Sequence, residues 1–154
     1  MSDSANTGLL IDLGYCYTFY GNYNESLKYY QKFLATINTS KLSHDATAKY
    51  IGYAYLQNGF KKEADYYFNS QTGAYNLAAI YVCRGDKAKA YESLKIFNQE
   101  PSFKLISVTR LKTDPMFSGI RNEPEFQKIL KDAQAKFQTL HDRVGKWLEE
   151  EGKL

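Results

Sequence analysis

The sequence predicts an all-α fold in which helical hairpins repeat along the chain and a long helix closes it. Three observations lead to this prediction: a residue pattern that recurs three times, apolar residues at helical spacing within each copy, and a C-terminal run of apolar residues at heptad spacing. The chain has 154 residues, of which 44% are hydrophobic and 24% charged, values typical of a single globular domain. We divide it into three hairpins, residues 1–100, and a C-terminal capping segment, residues 101–154.

The recurring pattern is a large apolar residue followed by a small residue, then a tyrosine and a glycine. It occurs as Leu13-Gly14-x-x-Tyr17-x-x-x-Gly21, as Ile51-Gly52-x-x-Tyr55-x-x-x-Gly59 and as Leu77-Ala78-x-x-Tyr81-x-x-x-Gly85. Each copy continues with a small residue (Ser26, Ala64 or Ala90) and then a bulky apolar one (Tyr30, Phe68 or Leu94). Self-similarity of this kind indicates a repeat architecture.

Each copy has the pattern of two helices joined by a tight turn. Leu10, Leu13 and Tyr17 fall on one face of a helix, and a glycine at Gly14 or Gly52 lets a second helix approach closely. The glycine that follows each first helix can adopt the left-handed conformation that ends a helix. We expect these first helices near residues 8–20, 44–58 and 73–84.

The combination of a large residue, glycine and tyrosine, followed by alanine and an aromatic residue, resembles the tetratricopeptide repeat over roughly residues 7–100. The resemblance implies a helical-hairpin solenoid whose first helices line a concave groove for extended or helical peptides. It assigns nine residues to that peptide-binding groove: Asp12, Tyr15, Phe19, Lys49, Tyr50, Tyr53, Gln57, Tyr75 and Asn76. Tyrosine is enriched in binding hot spots. The alternative is that some of these tyrosines pack between repeats.

The second copy is shorter than this family's period of about 34 residues. From Gly14 to Gly52 is 38 residues, whereas from Gly52 to Ala78 is 26. Either the second helix of this copy, which begins near Lys61, is cut to little more than two turns before Gln71-Thr72-Gly73, or residues are missing from the chain there.

Family members that bind chaperone C-termini hold the terminal carboxylate with a clamp of lysine, asparagine and arginine. The matching positions here are Ile11, Tyr15, Tyr50, Thr72 and Asn76, so the clamp is absent. We therefore expect a neutral, aromatic or amphipathic peptide as ligand.

After the repeats, Asp114-Pro115-x-Phe117 and Pro124-x-Phe126 bracket a turn. This segment resembles the closing motif of repeat arrays in bacterial signalling proteins, which implies a place for the chain in such a system. A short helix is expected at 102–111. A long helix should start at Pro124, with Asn122 and Glu123 supplying a cap and a favourable charge.

The long helix carries a heptad seam: Phe126, Leu130, Ala133, Phe137, Leu140, Val144 and Trp147. Its length of about 40 Å exceeds what one hairpin covers. In one interpretation its first half caps the array and the rest extends into solvent. In the other, two chains self-associate through Leu140, Val144, Trp147 and Leu148.

Candidate chemical groups are scattered along the chain. Cys16 and Cys83, like His44 and His141, are far apart, and we expect both cysteines to be small buried apolar groups. No phosphate-binding loop or metal-ligand spacing occurs, so we expect no enzyme activity, no cofactor and no metal. A net charge of +3 does not imply nucleic acid. The chain shows neither a membrane span nor a secretory signal, which favours a cytoplasmic location.

Taken in order, these features predict a scaffold or sensory module that binds a protein or peptide partner through an aromatic concave groove. The alternative function is self-assembly as a homodimer through the heptad helix.

Overall fold

The computed structural model describes residues 3–37, 46–100 and 105–153, and within these ranges the chain forms α-helices and no strand. The predicted all-α fold is confirmed. The helices are α1 (Asp3–Phe19), α2 (Tyr23–Thr36), α3 (Ala46–Gln57), α4 (Lys61–Phe68), α5 (Ala74–Cys83), α6 (Lys87–Gln99), α7 (Leu105–Thr113) and α8 (Pro124–Glu150). A 3-10 turn, Pro115–Phe117, joins α7 to α8.

Helices adjacent in sequence pack as pairs. The most extensive contacts join α1 to α2, α3 to α4 and α5 to α6, and α3 also touches α1, α2 and α5. The three hairpins therefore lie side by side, an arrangement compatible with a helical-hairpin repeat. The predicted start of the second hairpin, residues 44–45, lies outside the described residues.

Two glycines mark the closest approach within the first two hairpins. A Cβ added at Gly14 would lie 2.6 Å from Cδ1 of Tyr30, and one at Gly52 would lie 2.8 Å from Cε1 of Phe68. Thr18 and Ser26 are fully buried beside Gly14, and both hydroxyls donate to its carbonyl oxygen, at 2.9 and 3.0 Å. The expectation that glycine allows the second helix to approach is confirmed.

The turns inside the hairpins follow the predicted chemistry. Gly21, Gly59 and Gly85 have φ of 77°, 86° and 79°, a left-handed conformation that favours glycine. The side chain of Asn22 accepts a hydrogen bond from the backbone N–H of Glu25, which caps α2. Asp86 caps α6 in the same way, and Phe60 caps α4 without a side-chain bond.

The second hairpin is short because α4 has only eight residues. It ends at Phe68, and the chain then turns through Gly73, whose φ is 87°, before α5 begins. This is the first of the two explanations for the short period: a second helix of little more than two turns.

The capping segment covers the end of the third hairpin. α8 packs on α6 and α7, and the 3-10 turn packs on α5. Phe117 and Phe126 are fully buried, with ring centroids 5.7 Å apart. The start of the predicted short helix, residues 102–104, lies outside the described residues.

The predicted cap of α8 is wrong in part. Glu123 occupies the N-cap position but makes no capping hydrogen bond, and Asn122 lies outside the cap. The Glu123 carboxylate instead contacts the Lys87 ammonium at 2.5 Å and accepts a hydrogen bond from the Tyr91 hydroxyl at 2.7 Å. These partners on α6 hold the carboxylate away from the helix end.

α8 starts at Pro124 as predicted, and its 27 residues agree with the predicted length of about 40 Å. Its first half is buried through Phe126, Ile129, Leu130 and Ala133. Beyond Phe137 none of its described residues is fully buried. Among the described helices, none combines the length and the apolar character that crossing a membrane requires.

Candidate functional site on the concave face

The central part of the predicted groove is covered by the chain's own Asp114 turn, residues 114–117. Its backbone lies against α3, because the Tyr53 hydroxyl donates to the Pro115 carbonyl oxygen at 3.4 Å. Its Phe117 ring packs edge-on against Tyr75 of α5, with centroids 5.4 Å apart. The closing motif and the groove tyrosines thus form one packed structure.

Asp114 is the centre of this contact. Its Oδ2 accepts hydrogen bonds from the hydroxyls of Tyr50, at 2.8 Å, and Tyr75, at 2.7 Å. The Lys49 Nζ lies 3.4 Å from the same oxygen and stands over the Tyr75 ring, 4.1 Å from its centroid. The other carboxylate oxygen accepts from the backbone N–H of Met116. Asp114 therefore ties α3 and α5 to the turn.

Burial sets the protonation of this cluster. It lowers the pKa of Lys49 to about 8, against the attraction of Asp114, which favours the charged ammonium. It also raises the pKa of Tyr50 and Tyr75, and the neighbouring Asp114 carboxylate raises both further, because a second negative charge there is unfavourable. At neutral pH both phenols stay protonated and can donate to the carboxylate.

Alkaline pH should therefore destabilise the fold. Four buried tyrosines have a raised pKa: Tyr30, Tyr50, Tyr53 and Tyr75. Above about pH 10 the unfolded chain releases tyrosine protons that the native chain keeps, so stability falls. The Lys49 ammonium has the opposite effect on stability. Between its native pKa of about 8 and its ordinary pKa of 10.5, the native chain releases this proton while the unfolded chain keeps it, so this contribution to stability rises with pH.

Urea unfolding at several pH values, followed together with tyrosinate absorbance, measures this dependence. We expect no loss of stability from these groups between pH 8 and 10 and a steep loss above pH 10. Complete titration of the tyrosines while the helical circular dichroism persists would show that they are accessible in the native state.

A pocket of about 310 Å³ remains open beside the Asp114 turn; we call it the concave pocket. Tyr15, Phe19 and Tyr50 form its aromatic wall: the Tyr15 and Tyr50 rings meet edge-on at 5.2 Å and Phe19 lies 5.7 Å from Tyr50. Three polar side chains complete the lining: Lys49, Asn76 and Arg110.

Arg110 is the lining residue that the sequence interpretation missed. It lies on α7, outside the repeats, and the groove was predicted from the repeats alone. The structure gives its guanidinium no hydrogen bond or ion pair with any described residue, whereas Lys49 pairs with Asp114. Among the described residues, the Lys49 ammonium thus has a carboxylate partner and the Arg110 guanidinium has none.

The nine predicted groove residues fall into three groups. Tyr15, Phe19, Lys49, Tyr50 and Asn76 line the concave pocket. Tyr53 and Tyr75 are 4% and 8% exposed and contact the Asp114 turn, which covers them. Asp12 and Gln57 are exposed and lie outside the pocket lining. Peptide binding by any of the nine stays a prediction.

Other chemical groups are dispersed. Cys16 is exposed, so the expectation that it is buried is wrong. Cys83 is half-buried, and burial raises the pKa of its thiol to about 12. Among the described residues, no three His, Cys, Asp or Glu side chains group as metal ligands would.

The fold and the site define an all-helical protein of packed helix pairs in which the capping turn covers part of the groove predicted from the sequence. No protein-family model matches the chain, and comparisons with curated proteins and with solved structures gave no significant match.

Proposed function

We propose that this chain is a protein- or peptide-binding scaffold of the tetratricopeptide type that binds its ligand in the concave pocket. The observation that carries the proposal is the pocket's lining: an aromatic wall that faces Arg110, a cation without a partner among the described residues. Pockets with apolar walls and a few polar groups are the usual form of binding sites.

The size and charge of the pocket favour one kind of ligand. A volume of about 310 Å³ takes one or two side chains rather than a long extended segment. The aromatic wall suits an apolar side chain, and the planar Arg110 guanidinium suits a carboxylate. The ligand we propose is an amphipathic peptide in which an acidic residue adjoins an apolar one.

The capping segment supports a role in bacterial signalling, as a sensory or adaptor module. The residues that carry the resemblance to array-closing motifs are structural: Asp114 binds the groove tyrosines, and Phe117 and Phe126 are buried against each other. The proposal of a signalling context rests on that resemblance.

Selection of peptides from a random phage-displayed library on the full chain tests the function. Phe19→Ala and Arg110→Ala change exposed pocket residues and should each weaken a selected peptide by about 1 to 2 kcal/mol, or roughly tenfold. Tyr66→Ala is the control, because Tyr66 is 66% exposed and lines a different surface with Tyr55 and Tyr67.

Selected peptides should share an acidic residue beside an apolar one. Peptides that bind the Phe19→Ala and Arg110→Ala variants as tightly as the wild-type chain would place the binding site elsewhere. Loss of binding in Tyr66→Ala would place it on the second hairpin.

A further inference from the structure

The distal part of α8, residues 138–150, contains no fully buried residue. The last described hydrogen bond from α8 to another helix is made by Lys136, which donates to the Asn98 carbonyl oxygen on α6. From Gln138 onward the side-chain hydrogen bonds that the structure describes stay within α8. At 1.5 Å per residue this segment is about 20 Å long.

This distal segment carries an apolar face formed by Leu140, Val144, Trp147 and Leu148. It continues the seam that buries the first half of α8 in the core, yet Val144 and Trp147 are 51% and 50% exposed. A half-exposed tryptophan between aliphatic residues is typical of the centre of a protein interface.

The charges beside this face identify its partner. Arg143 and Glu150 are one heptad apart, flank the seam on the same side, and have no ion-pair partner among the described residues. When two such helices lie antiparallel, Arg143 of each can face Glu150 of the other. The same register sets Val144 against the partner's Trp147, a small residue against a large one, and the two-fold axis repeats both contacts.

The parallel arrangement lacks this complementarity. There Arg143, at a g position, would face an e position of the second helix, which is occupied by Leu148. We propose that distal α8 pairs with distal α8 of a second copy of this chain, antiparallel, through the Val144–Trp147 layers and two Arg143–Glu150 ion pairs. This inference is independent of the concave pocket.

Sedimentation velocity of the full chain from low to several hundred micromolar concentration tests the pairing. The wild-type mass should rise with concentration from 17.7 kDa towards twice that value. Trp147→Ala should stay monomeric, since it removes the largest side chain from both halves of the interface.

Charge substitutions test the orientation. Glu150→Arg places like charges together and should weaken self-association about tenfold, because both symmetry-related pairs become repulsive. The double variant Arg143→Glu/Glu150→Arg restores opposite charges and should regain most of the affinity. Glu149→Arg makes the same charge change on the far side of the helix and should have no effect. Circular dichroism verifies that each variant is folded.

Three results would overturn the proposal. A wild-type chain that stays monomeric at every concentration would show that a second copy does not cover distal α8. If Glu149→Arg and Glu150→Arg weaken self-association equally, Arg143 and Glu150 do not form the proposed ion pair. If the double variant self-associates no more tightly than Glu150→Arg alone, the helices do not pair in the antiparallel register.

Discussion

Replacing Asp114 by alanine should lower the free energy of unfolding by about 3 to 5 kcal/mol, the usual cost of breaking a buried ion pair from one side. The side chain is fully buried and holds three side-chain donors, Tyr50, Tyr75 and Lys49, besides the backbone N–H of Met116. Without the carboxylate, two hydroxyls and an ammonium are left in an apolar environment. Urea unfolding at pH 7, followed by circular dichroism, measures the loss.

Two further variants show whether the loss of stability comes from breaking the buried ion pair or from removing any carboxylate. Asp65→Ala removes a surface carboxylate that contacts Arg84 at 2.6 Å, and should cost under about 1 kcal/mol. Lys49→Met combined with Asp114→Asn removes both buried charges, and should cost less than the sum of the two single changes. If Asp114→Ala costs no more than Asp65→Ala, the Asp114 turn is not held as described.

Replacing Gly14 or Gly52 by alanine should destabilise the hairpins by about 1 to 3 kcal/mol each, as overpacking of a core does. The new Cβ at Gly14 meets the Tyr30 ring, which is fully buried and has little room to move. At Gly52 it lies 2.8 Å from the Phe68 ring and 3.1 Å from the Ala64 carbonyl oxygen, a backbone atom. Thermal unfolding of each variant measures the effect.

Gly145 is the matched control for both substitutions. It lies inside α8, and a Cβ there would have no atom within 4 Å. Gly145→Ala should therefore be neutral or stabilising by up to about 1 kcal/mol, because alanine is the better helix former. Stabilisation of Gly14→Ala to the same extent would mean that α1 and α2 are not in close contact.

The sequence was informative wherever a steric requirement recurs. The glycines that end first helices and the glycines under Tyr30 and Phe68 repeat with the hairpin, so the pattern alone predicted them. The heptad spacing likewise predicted the length of α8. These features depend on residues close together in the chain.

Contacts between distant segments could not be predicted in this way. The Asp114 motif and the groove tyrosines were both recognised, but neither showed that Asp114 binds Tyr50, which is 64 residues away. Arg110 was missed for the same reason, because α7 reaches the concave pocket only through tertiary packing. Asn122 does not cap α8 because the N-cap residue is Glu123, and the Glu123 carboxylate contacts Lys87 and Tyr91 of α6 instead of the helix end.

Amide hydrogen exchange of the full chain, with and without a selected peptide, tests the proposed binding function most directly. Binding in the concave pocket should slow exchange in the helices that line it, around Phe19 of α1, Tyr50 of α3 and Arg110 of α7, and should leave α4 unchanged. Protection confined to α4 or to distal α8, with the pocket helices unaffected, would contradict the account.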